Sequence, residues 1–197
     1  ITLGSDAEDI TFDVASDATF TGEDAIAITG EVVVGGALDL ESAANTTLTG
    51  TVDVTGTSDL KVGGNLAITG DYTGGDAITM LVDGTSRITN TGDEAFTAES
   101  SLVLTSVGEV TLTGSFDVTG ISTLTVGERV EDDEDTVSNL LIDGSYTGLG
   151  NVQLDVTGET AVNGTFTVGD DDANATSTFM LTGDSAITLG SDAEDIT

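Results

Sequence analysis

The chain contains no cysteine, histidine, proline or tryptophan, and its only basic side chains are Lys61, Arg87 and Arg129. Without cysteine or histidine there are no disulfides, no thiol nucleophile, no Cys/His zinc site and no imidazole acid–base catalysis. A cysteine-free chain is compatible with any redox compartment. Affinity for phosphate rests on clustered Lys and Arg, so the charge disfavours nucleic acids and anionic membranes as partners. No apolar run approaches the ~18 residues of a spanning helix, which argues against membrane insertion. The first residues also lack the basic and apolar regions of a signal peptide.

What is present is acid, glycine and threonine. Thirty-six Asp and Glu against three basic residues give a formal charge of −33, alongside 26 Gly and 35 Thr. Such charge raises the question of disorder, but Leu, Ile, Val and Phe make up 53 of 197 residues. That exceeds the rough 20% floor below which chains stay unfolded, so a buried core is expected.

Repetition organises the chain at three scales. Ile1–Thr11 (ITLGSDAEDIT) recurs unchanged as Ile187–Thr197, so the chain reads as one 186-residue period plus the opening of the next. Inside the period, Thr47–Gly63 matches Thr111–Gly127 at 12 of 17 positions, and Asn65–Gly74 matches Asn139–Gly148 at 7 of 10. The offset grows from 64 to 74 between these blocks, which marks 129–138 as an acidic ten-residue insertion. Ile28–Leu40 aligns more weakly with Val156–Val168, and the period divides into three related modules of about 62 residues each. The smallest unit is a short strand closed by glycine: LTG, DVTG, KVGG, AITG, LVDG, LIDG.

Around these units apolar and polar residues alternate, the pattern of strands with one buried face. The inward set is Leu48, Val52, Val54, Leu60, Val62, Leu66 and Ile68, then Leu112, Phe116, Val118, Leu124, Val126, Leu140 and Ile142. Threonine suits the outward positions, and Gly and Asn suit corners that need left-handed backbone. Short strands with frequent corners predict an all-β fold, a β-solenoid of about nine coils of roughly 20 residues, continuous over 1–197. At about 4.8 Å per coil one period would extend about 43 Å. A β-sandwich array also has short strands. The small modules, 4% aromatics and modest core side chains favour the solenoid.

The strings LTGTVDVTG, LKVGGNLAITG and LIDGSYTG resemble the β-helical repeats of large bacterial surface adhesins of the filamentous-haemagglutinin and autotransporter type. That resemblance implies a right-handed β-helix, secretion to an extracellular or cell-surface position, and a fibre or stalk role.

Solenoid ends expose backbone donors and acceptors that caps usually cover. Neither end here differs from the middle, so the solenoid is expected to be uncapped, with copies of itself end to end as partner. Acids stacked on successive coils would repel, which calls for high salt or bound divalent cations. Two acidic stretches are candidate weak cation sites: Asp170, Asp172 and Asn174, and Asp132, Asp133 and Asp135. The first fails as an EF-hand, with Ala175 and Leu181 where the loop needs Gly and Glu. No cofactor is required; Ca²⁺ or other cations on acidic loops are the only ligands considered.

Catalysis is not expected, since the three basic residues do not recur between repeats and sugar-stacking tryptophan is absent. Tyr72 and Tyr146 occupy equivalent repeat positions, which suits a structural role. Thr-x-Thr pairs at Thr19/Thr21, Thr47/Thr49, Thr111/Thr113, Thr123/Thr125 and Thr165/Thr167 raise ice binding, but their spacings do not give one pair per coil. Sequons begin at Asn45, Asn163 and Asn174. The expected function is a structural protein, an extracellular filament, stalk or matrix fibre. The alternatives are the shaft of a giant adhesin with its binding tip elsewhere, and a Ca²⁺-associated or ice-binding solenoid.

Overall fold

A computed structural model of the chain describes residues 2–3, 11–91, 95–127, 137–169, 179–182 and 187–189. The strands begin with β1 (Thr2–Leu3), β2 (Thr11–Val14), β3 (Ala18–Gly22), β4 (Ile26–Val34) and β5 (Leu38–Ser42). There follow β6 (Thr46–Val54), β7 (Ser58–Val62), β8 (Leu66–Thr69), β9 (Tyr72–Gly74) and β10 (Ile78–Val82). Next come β11 (Ser86–Thr89), β12 (Phe96–Ala98), β13 (Leu102–Ser106), β14 (Val110–Val118) and β15 (Ser122–Val126). The last are β16 (Leu140–Gly148), β17 (Val152–Val156), β18 (Thr160–Val168), β19 (Phe179–Thr182) and β20 (Ile187–Leu189).

Residues 46–65 show how one coil is built. Thr46, Leu48, Val52 and Val54 of β6 alternate inward while Thr47, Thr51 and Asp53 face solvent. Gly50, at the inward-facing centre of the strand, has φ +116° and bends β6 into two arms. A corner leads into β7, where Ser58, Leu60 and Val62 are buried and Asp59 and Lys61 are exposed. A second corner returns the chain to β8, one rung further on. Each fully buried Val, Leu or Ile stabilises the coil by about 1.5–3 kcal/mol relative to exposure.

Coils stack in parallel register. The two arms form a 12-stranded sheet whose first arms run β1-β4-β6-β8-β11-β14-β16-β18-β20, and the third side is an 8-stranded sheet. The fold is thus the expected β-solenoid. Its count differs: the first arms step eight times from β1 to β20 and the 8-stranded sheet seven times from β3 to β19, not nine coils. The reason lies in four long coils. The ordinary step is that from Ile26 to Thr46, repeated from Thr46 to Leu66 and from Leu66 to Ser86. The steps from Thr2 to Ala27, Ser86 to Val110, Val110 to Leu140 and Thr160 to Ile187 are all longer. The extra residues enter only at bends and corners: between β1 and β2, β11 and β12, β15 and β16, and β18 and β19.

Glycine serves two purposes. Gly30, Gly50, Gly70, Gly114, Gly144 and Gly164 form the column of bends, all with φ between +101° and +153°. A Cβ at Gly50 or Gly144 would fall on the carbonyl oxygen of the glycine one rung below. Asn90 takes glycine's place in the column, directly below Gly114, in the coil that is lengthened between β11 and β12. After β15 and β18, Gly127 and Gly169 also take positive φ, +88° and +101°, but at the corners before β8 and β11 the need is space. Asn45 Oδ1 accepts the Asn65 N–H at 2.8 Å, and Asn65 Oδ1 accepts the Thr85 N–H at 2.9 Å. A Cβ at Gly64 or Gly84 would strike those amide oxygens. The expectation that corner asparagines adopt left-handed backbone is therefore corrected: among the described residues no non-glycine has positive φ. These asparagines instead bond the next coil through their side chains.

Candidate interaction faces

The register converts the outward residues into columns, and the charge pattern follows from them. Strand acids are interleaved with neutral residues. Asp53 lies between Val33 and Thr73, Asp117 between Thr97 and Thr147, and Glu31 between Thr11 and Thr51. Asp39 opposite Asp59 is the one like-charge register pair among the described strands. The expected general stacking of acids on successive coils is corrected accordingly. In the column that holds Asp53, Asp13 and Asp53 are two rungs apart, about 9.6 Å and close to the Debye length at 0.1 M salt, and Asp53 and Asp117 are three rungs apart.

The first arms carry the least charge. From β4 to β14 their outward positions are Ala27, Thr29, Thr47, Thr49, Ala67, Thr69, Arg87, Thr89, Thr111 and Thr113, with no acid; Asp143 on β16 is the first. Thr29, Thr49, Thr69, Thr89 and Thr113 form one unbroken column. A search for Thr-x-Thr pairs misses this column, although the even spacing of its first four members is visible in the sequence. The pairs themselves scatter: Thr19/Thr21 and Thr123/Thr125 lie on the 8-stranded sheet, Thr47/Thr49 and Thr111/Thr113 on first arms, and Thr165/Thr167 on a second arm.

Lys61 stands in register with Glu41. With Glu23 and Asp83 they line a shallow open depression at the ends of β3, β5, β7 and β10. The depression holds no nucleophile paired with a base. Among the described residues no three acidic side chains gather as a metal-holding group. The candidate cation residues Asp132, Asp133, Asp135, Asp170, Asp172 and Asn174 lie outside the described residues, as does Arg129.

The chemistry of the interior is that of packing. Tyr72, Phe96, Phe116, Tyr146 and Phe166 share one inward column, with successive centroids at 5.2, 5.3, 6.3 and 5.3 Å and planes within 29° of parallel. Offset stacking of this kind adds about 0.5–1.5 kcal/mol per pair beyond area burial. Each tyrosine is followed two residues on by a small inward position, Gly74 or Gly148, where a Cβ would collide with Ile78 or Val152. Tyr146 donates to Ser122 Oγ at 2.7 Å. Tyr72 faces Ser58 in the equivalent place, with neither hydroxyl closing a well-formed bond. Burial, only partly opposed by the serine, pushes both phenols far above their usual 10.0. Their placement is structural, as their repeat positions suggest.

No helix is long and apolar enough to cross a membrane among the described residues. Comparison of the chain with protein-family models, with curated proteins and with solved structures finds no match.

Proposed function

We propose that this chain is a structural protein, a length of extracellular filament, stalk or matrix fibre built from tandem β-solenoid repeats. The observation that carries the reading is the unbroken parallel ladder from β1 to β20, in which every strand pairs only with the coils before and after it. Such a ladder is quasi-one-dimensional: stiffness comes from backbone pairing, and length is added by adding coils. The aromatic column and apolar interior supply cohesion along the axis. The acids, spaced along the outer columns, keep the rod hydrated and its flanks mutually repelling.

Negative-stain electron microscopy of chains holding one, two and four copies of the period tests this. Rods of constant width whose length grows in proportion to the number of periods are expected. Compact particles, or beads on bending linkers, would overturn the structural reading.

A further inference from the structure

The same short segment opens and closes the described ladder. Thr2 of β1 pairs with Ala27, and the column continues through Thr47, Ala67, Arg87, Thr111, Leu141 and Ala161 to Thr188 of β20. Identical residues one full period apart thus occupy the same place on the first arm, eight rungs apart. Coils of one uniform length would not give this, because the period is not a whole multiple of the ordinary step. The four long steps bring it to a whole number of turns.

The two copies also use opposite edges. Thr2 and Leu3 pair forward, onto Ala27 and Ile28 of β4. Ile187, Thr188 and Leu189 pair backward, onto Thr160, Ala161 and Val162 of β18. Superposed, the two halves make a rung with β18 on one side and β4 on the other, the arrangement of β6 between β4 and β8. A slip of one residue would exchange inward and outward sets. Here Leu3 is in register with buried Ile28 and Leu189 with buried Val162, so the two copies enter the ladder in the same phase. Neither flanking arm brings charge to the joint: Thr160–Asn163 and Ile26–Thr29 contain no ionisable side chain.

We propose that Ile187 begins a second copy of this chain, so that neighbouring copies share one Ile-Thr-Leu rung and the solenoid crosses the joint without change of phase. Each copy advances the axis by eight rungs, about 38 Å. This deepens the structural reading above and rests on it.

The test is a chain of two periods, residues 1–186 followed by 1–197, studied by hydrogen exchange beside the single-period chain. Amides of residues 187–189 are expected to exchange at least about 100-fold more slowly in the two-period chain, approaching those of β14 and β16, because an end rung has become an interior one. Thr188→Pro, which removes a ladder donor, should abolish that protection in the two-period chain while leaving β4–β10 of the single-period chain unchanged. Unchanged exchange at 187–189, or a silent Thr188→Pro, would overturn the shared rung. If both chains are still rods by microscopy, the structural reading survives that failure; if neither is a rod, both readings fall.

Discussion

Replacing Gly144 by alanine places a methyl group where the stacked bends have no room for one. Gly144 has φ +139°, and a Cβ there would fall on the carbonyl oxygen of Gly114 in the rung below. Two costs follow. Holding a non-glycine residue in that backbone region costs about 1–3 kcal/mol. Relieving a clash with backbone, which unlike a side chain cannot rotate away, costs about 1–3 kcal/mol more. The expected loss is about 2–6 kcal/mol, read from guanidinium unfolding monitored by circular dichroism. The sign is diagnostic, because Gly→Ala at an ordinary negative φ stabilises by about 0.4–1 kcal/mol through the unfolded state. Ser145→Ala, one residue on and outward, removes only an exposed hydroxyl contact to Ser115 and should stay within about 0.5 kcal/mol of the parent. Since coils touch only their neighbours, lost amide protection should centre on β14, β16 and β18 and spare β4–β7. A Gly144→Ala chain as stable as the parent would refute the stacked-bend geometry.

Tyr146→Phe strands Ser122 Oγ in the interior and should cost about 1–3 kcal/mol, whereas Tyr72→Phe deletes an unpartnered hydroxyl and should be neutral or stabilising; equal losses in the two unfolding curves would contradict the difference. The chain has two tyrosines, both buried with raised pKa, so the folded state holds phenolic protons that the unfolded chain releases near pH 10.0. Their contribution to stability is complete below that pH and declines as pH rises from it toward the native values. Phenolate absorbance should therefore appear together with loss of circular dichroism; a midpoint near 10.0 with the fold intact would count against burial. Asp39→Asn should raise the unfolding free energy by about 0.5 kcal/mol at low salt by relieving Asp59, an effect screened away at about 1 M. Asp53→Asn, between Val33 and Thr73, is the control and should do almost nothing, so equal gains at both sites would count against register-specific repulsion.

Much of the fold is legible in the sequence because alternation is a direct record of which face meets the core. All fourteen residues read as inward, from Leu48 to Ile142, are buried. Glycine is harder to read. Leu81-Val82-Asp83-Gly84 and Leu141-Ile142-Asp143-Gly144 look alike, yet Gly84 follows a strand at a corner and Gly144 bends β16 at its middle. Local composition does not separate these roles; pairing with the coil below does. The turn count is misjudged for a related reason: residues added at bends and corners lengthen the chain without adding a rung. The interleaving of acids is likewise invisible until the register is known, because Asp39 and Asp53 differ only in what stands one coil away.

The confinement of extra residues to bends and corners has a practical side. The four long steps close onto the same ladder as the ordinary ones. Cargo and scaffold are thereby decoupled. A peptide grafted between β15 and β16 would be displayed at a fixed height and azimuth on the shaft, and grafts at several such junctions would set the spacing of a display in multiples of one coil.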